Sequence, residues 1–273
     1  MTIVAGFKCD DGIVLCADTQ ETIEPLKRHV PKLRIEPKRE FYGGDTAEEL
    51  MVAFAGAGDG PFIDKLVSRA WEGAQIGASI EEVSSDIEKS IKETYKEYGG
   101  IYQPGYCPHV SLLYGIKMHG RSLLFRADGP VVNEKDSYDC ADTGLYLATF
   151  LCSRMYRNNL TLQQATILAA YVLFQAKEHI DGCGGQSHVA ILRNTGGSQL
   201  SEELSGINKQ IQQIDRTVEQ VILSAADLTI DEEKYNKDLS GFTKLLGLTR
   251  KMHQDEQEQW KAFRQILSGE QKI

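Results

Sequence analysis

An α+β fold is the class that the sequence predicts: a layered sandwich with sheets inside and helix pairs outside, followed by a helical C-terminal extension. Two observations carry that expectation. Strand-like and helix-like stretches alternate in blocks, in the order strands, two helices, strands, two helices, strand. All seven prolines lie at or before Pro130, and from Ser201 the composition shifts toward Gln, Glu, Lys and isolated apolar residues. The shift divides the chain into a domain over 1–197 and an extension over 198–273.

The elements follow in order. Thr2 to Phe7 and Gly12 to Ala17 are short β-rich runs, and Asp10-Asp11-Gly12 between them signals a hairpin turn. Lys32 to Ile35 and Leu50 to Ala55 continue the strand pattern. Pro61 suits the first position of a helix whose Phe62, Ile63, Leu66, Val67 and Ala70 share one face. Ser79 and Glu82 make a capping box before Val83, Ile87, Ile91 and Tyr95, spaced by four. Val110 to Ile116 and Ser122 to Arg126 read as strands turning at His119-Gly120. Helices are expected over Leu145 to Arg157 and Leu162 to His179, the second opened by a Thr161/Gln164 capping box. Gln186 to Arg193 returns to strand. In the extension, Ile207, Ile211, Ile214, Val218 and Val221 form a heptad-like stripe too short for a free coiled coil. Leu245, Leu246, Trp260, Phe263, Ile266 and Leu267 follow. Helices packing on the domain or on a neighbouring subunit account for this pattern, with a docking arm for another protein as the alternative.

Composition narrows the function. The 273 residues are 41% hydrophobic, enough for a core without metal or disulfide staples. The net charge of −9 argues against a broad nucleic-acid or anionic-membrane surface. No apolar run approaches the length of a membrane span, and Met1 to Lys8 lacks the pattern of a signal peptide. Six scattered cysteines without a CxxC pair indicate reduced thiols and a cytoplasmic location. The histidines show no metal-binding spacing, so no metal or cofactor is expected.

The chemistry begins at Thr2. With Met1 removed, one residue carries both a hydroxyl and an α-amine. The amine's ordinary pKa of about 7.7–8.0 suits it to take the hydroxyl proton. Downstream come Ile13-Val14-Leu15-Cys16-Ala17-Asp18-Thr19, then Pro31-Lys32-Leu33-Arg34-Ile35, then Val52-Ala53-Phe54-Ala55-Gly56-Ala57-Gly58-Asp59. In this order and spacing, the pieces resemble the N-terminal-threonine (Ntn) hydrolases of the 20S proteasome β-subunit and HslV type. The resemblance covers roughly residues 2–195. The glycine-rich turn lacks the Gly-Lys-Ser/Thr of a phosphate loop.

The resemblance implies a four-layer αββα sandwich and a set of roles. Thr2 matches the nucleophile, Asp18 the carboxylate that orients the lysine, and Lys32 that lysine, whose charge would favour the alkoxide. The backbone N–H of Gly56 matches the oxyanion donor. Thr22, Phe54 and Gly58 fall where the family holds its peptide and lines the first specificity pocket. Departures lie in the second half. Cys140-Ala141-Asp142-Thr143-Gly144 replaces the family's G-S-G turn, so its serine falls on Asp142 or Thr143. Asp181-Gly182-Cys183-Gly184-Gly185 replaces D-x-x-S-G-G, with Cys183 in the serine's place. Asp181 is read either as a partner of the threonine amine or as a helix-end turn residue. Cys183 also admits a reading as a nucleophile, which its glycine-rich neighbourhood disfavours.

The implied function is a cytoplasmic threonine-type endopeptidase without cofactor, acting on peptides or unfolded proteins. The implied assembly is a homo-oligomer, ring-forming in the family, with any ATPase or other regulator unspecified. A non-catalytic scaffold subunit and an amidase or acylase for small amides are the alternatives.

Overall fold

The computed structural model describes residues 2–23, 26–42, 45–99, 108–195, 199–201, 205–227, 229 and 231–267. Met1, Cys107 and the expected boundary at Gly196-Gly197 lie outside them. Residues up to Ser205 group into one unit and those from Gly206 into a second.

The first unit opens with the expected hairpin, β1 (Val4–Cys9) and β2 (Gly12–Asp18), turning at Asp10-Asp11. Both strands are almost wholly buried, which their continuous apolar sequence anticipates. A small hairpin follows, β3 (Gln20–Ile23) with β4 (Leu26–His29). It is polar on both faces and has no apolar alternation to announce it. Next come β5 (Leu33–Tyr42) and β6 (Asp45–Gly58), both much longer than the expected stretches. Pro37 does not end β5, because β5 is the edge of its sheet and can spare a donor.

Helix α1 (Gly60–Ala74) starts where Asp59 accepts the Phe62 N–H at 3.0 Å. Helix α2 (Ile80–Gly99) starts with half of the expected box. Ser79 accepts the Glu82 N–H at 3.2 Å, but the Glu82 carboxylate takes the Ala78 N–H instead. Four strands follow: β7 (Val110–Met118), β8 (Arg121–Asp128), β9 (Val131–Lys135) and β10 (Tyr138–Ala141). Then come α3 (Leu145–Met155), α4 (Leu162–His179) and β11 (Ser187–Arg193). The Thr161/Gln164 box at α4 is complete.

Residues 199–201, assigned from sequence to the extension, form β12 (Gln199–Ser201) and pair with β11. They therefore belong with the first unit, and the division falls later than 197.

The result is a mixed α and β architecture with antiparallel sheets. One sheet runs β10-β1-β2-β11-β12 and the other β5-β6-β7-β8-β9. An apolar cluster joins them, with Val4, Ile13 and Leu15 of the first sheet meeting Met51, Ala53, Leu113 and Leu124 of the second. A second cluster packs Leu66, Ala70, Ile87 and Ile91 of α1 and α2 on Val52, Phe54, Leu112 and Tyr114. Helix α4 lies against β2 and β11. Burial at about 25 cal/mol per Å² of apolar surface is what holds these elements together.

The second unit contains α5 (Ser205–Ala226) and α6 (Glu232–Leu267). Ile211 is buried and Ile207, Ile214, Val218 and Val221 are half-buried, so the stripe read from the sequence is the sheltered side of α5. For Trp260, Phe263, Ile266 and Leu267 only the helical backbone is described. Among the described residues, no helix is long and apolar enough to cross a membrane.

Candidate active site

The β1–β2 hairpin register sets Thr2 beside the end of β2. Val4 pairs with Ala17, and the Asp18 N–H donates to the Ile3 carbonyl at 3.3 Å. Asp18 is fully buried and Thr2 is 3% exposed. Oδ1 of Asp18 accepts the Thr2 hydroxyl at 2.8 Å, the Ile3 N–H at 3.1 Å and Lys32 Nζ at 2.8 Å. Oδ2 accepts the Gly184 N–H at 2.9 Å and the Gln20 N–H at 3.3 Å. A buried carboxylate needs such donors to stay ionised without a large desolvation cost.

Lys32 precedes β5 and also donates to the Gln20 carbonyl, so two acceptors hold its ammonium against the Asp18 oxygen that binds Thr2. The Gly144 N–H donates to the Thr2 carbonyl at 3.2 Å and fixes the Thr2 backbone from the start of α3. Thr2, Lys32, Gly56, Ala57, Gly58 and Asp142 line one cleft with Glu21, Val30, Pro31, Gly60, Ile63 and Asp64. Its volume of about 80 Å³ exceeds the ~10–15 Å³ that one water needs.

Several expected residues behave differently. The Gly56 N–H, expected as the oxyanion donor, donates to the Lys32 carbonyl at 3.0 Å. Its glycine identity has a packing reason, since a Cβ there would sit 2.6 Å from the Ile63 side chain. Phe54 does not line the cleft. It is 1% exposed and packs against Tyr114 with ring centroids 5.9 Å apart, because its side of β6 faces the helices. Thr22 lies on β3 outside the cleft lining, and its buried hydroxyl finds no partner among the described residues. Gly58 does line the cleft.

Of the two serine positions, Asp142 reaches the cleft while Thr143 is exposed and outside the lining. Asp142 holds a left-handed φ of 70°, a conformation aspartate tolerates better than most residues. Asp181 is exposed and stands apart from the bonds around Thr2, which fits the turn-residue reading. Burial, reinforced by the Asp18 charge, pushes the Cys183 thiol up to about 12, so a Cys183 nucleophile is disfavoured. The five cysteines described are all free and buried.

Sequence reasoning missed Glu21, Ile63 and Asp64 in the cleft, as well as the Gly184 N–H. Glu21 lies on the polar β3–β4 hairpin, which had no periodic signal. Ile63 had been read only as part of the α1 apolar face.

No protein-family model matches the chain, and no curated protein does. Solved structures do. A Gly-1 mutant of Anbu from Hyphomicrobium sp. strain MC1 superposes with a TM-score of 0.67 at 14% identity, covering 85% of this chain and 99% of that one. Anbu from Yersinia bercovieri, described as an ancestral β-subunit, gives 0.67 at 14% over 84% and 99%. Anbu from Pseudomonas aeruginosa, described in a helical assembly, gives 0.66 at 12% over 81% and 96%. At this identity the likeness establishes fold. It also corrects the sequence resemblance to the 20S β-subunit and HslV, because these three similar structures are Anbu proteins and the relationship is distant. The motif pieces are the two strands of a hairpin, a lysine before a strand and a strand-to-helix turn. Such features track a shared backbone and do not single out one family within it.

Proposed function

We propose that the chain is an N-terminal-nucleophile hydrolase that cleaves peptide bonds through Thr2 once Met1 is removed. The observation that carries this reading is the junction at Asp18 Oδ1, where the Thr2 hydroxyl and the Lys32 ammonium each bond at 2.8 Å. A cation held beside the hydroxyl favours the alkoxide and disfavours protonation of the α-amine. Thr2 Oγ would attack the scissile carbonyl while the α-amine takes its proton and passes it to the leaving amine. The resulting ester would be hydrolysed by water, whose proton the same amine accepts before Oγ is reprotonated. The packing of α1 and α2 on one sheet and α4 on the other supports an αββα order of layers.

Assembly of several copies is part of this reading, supported by the helical assembly described for the Pseudomonas aeruginosa protein. Size-exclusion chromatography with light scattering should show more than one subunit.

A scaffold role is the second reading. The Gly56 N–H favours it, since that donor is spent on the Lys32 carbonyl and not held open for an oxyanion.

The test is intact-mass analysis with and without a β-lactone or epoxyketone probe. Loss of Met1, a single adduct on Thr2 and no adduct on Thr2→Ala are expected. Retained Met1 with no adduct, or full peptide hydrolysis by Thr2→Ala, would overturn the reading.

A further inference from the structure

Near Asp18, outside the cleft lining, lies a second lysine that the reaction above does not use. Lys177 is in the last turn of α4, and its Nζ leaves the helix to donate to the Ser187 hydroxyl at 2.8 Å and the Gly185 carbonyl at 3.2 Å. Both acceptors belong to the turn that enters β11. That turn also supplies the Gly184 N–H to Asp18 Oδ2, and Ser187 is the register partner of Asp18 across β11 and β2. The turn cannot adopt many shapes. Gly185 sits at φ +73°, and a Cβ there would lie 2.4 Å from Thr19 Oγ1 and 2.5 Å from His29 Nδ1. Thr19 in turn accepts the Gln186 N–H at 2.8 Å.

Resting on the hydrolase reading, we propose that Lys177 is a positioning residue for Thr2. It clamps the 184–187 turn that delivers the Gly184 N–H to Asp18, and it adds a second positive charge near that carboxylate. The Asp18–Lys32 pair alone is neutral. Lys177 adds positive charge near that pair, partly offset by Glu178, and this favours the unprotonated amine that Thr2 needs as a base. Burial draws the Lys177 ammonium below the ordinary lysine value, while the Asp18 and Glu178 carboxylates hold it up.

The other titratable groups facing this region are Cys183 on the turn, His29 on β4, Glu178 on α4, and Glu21, Asp64, Asp142 and Lys32 at the cleft. They are common to every variant below, so their titration cancels in the comparison.

The experiment follows the rate of β-lactone labelling of Thr2 against pH in the full chain, for the wild type, Lys177→Met and Lys177→Arg. Loss of the charge should raise the amine pKa and move the acid limb to higher pH by about half a unit or more. Lys177→Arg should restore it, and KM for a peptide substrate should stay constant. An unmoved limb in Lys177→Met, or an arginine variant shifted as far as the methionine one, would overturn the inference. Thermal melts identify folded variants, and Lys177→Gln carries the test if Lys177→Met does not fold. A wild type that takes no label refutes the hydrolase reading itself. A labelled wild type with an unmoved limb refutes the Lys177 inference alone.

Discussion

On one side of Thr2, Asp18 accepts five donors drawn from Thr2 and Ile3 ahead of β1, the Lys32 segment, residue 20 and the turn before β11. On the other side, Asp142 borders the cleft from a left-handed turn, and Asp181 is exposed away from the bonded group. The first side is over-determined, with each member held by at least one group besides its reacting neighbour. The second side contributes mainly backbone, through the Gly144 N–H that donates to the Thr2 carbonyl. The contrast teaches that the side chains on the first side carry the charge arrangement, while the loop opposite acts through a main-chain donor at a glycine whose Cβ would lie 2.5 Å from the Ile3 side chain.

The comparison breaks most severely at Asp18. Asp18→Ala removes the acceptor of five donors and strands Lys32, whose side chain is only 11% exposed. A loss of about 3–5 kcal/mol is expected, read as a lower denaturant midpoint, together with loss of Thr2 labelling. Gly56→Ala should cost less, about 1–3 kcal/mol, because Ile63 must move aside from the new methyl. A paired Ile63→Val change should recover part of that loss in the same melt. The smallest effect is expected at Asp181. Asp181→Asn should leave stability within about 0.5 kcal/mol and labelling within twofold. A large loss there would return Asp181 to the site and collapse the contrast between the two sides.

Legibility in the sequence follows the same division. The Asp-Gly turn and the apolar runs around it announced β1 and β2, and a one-residue hydroxyl and amine at Thr2 pointed to its chemistry. Pro61 after Asp59 marked the start of α1, and Thr161/Gln164 that of α4. The β3–β4 hairpin was silent because Leu26–His29 is exposed throughout and has no face to bury. The extensions of β5 and β6 were silent because Pro37 and the charged residues near it read as a break. Phe54 went to the wrong side because a motif position does not say which face of a strand looks at the cleft. Lys177 was hidden for another reason. A lysine in the last helical turn is ordinary complementation of the helix dipole, and only the fold reveals that its ammonium turns inward toward Ser187.

The bond from Gly184 to Asp18 spans 166 positions of the chain. Its formation requires loop closure over most of the first unit, a late event in any folding order that favours local contacts. The β1–β2 hairpin, which sets Thr2 beside Asp18, is by contrast a local contact able to form early. Until the turn that carries Gly184 docks, Thr2 therefore sits beside an Asp18 that lacks one of its five donors, so the bonded group is completed only late in the folding of the first unit.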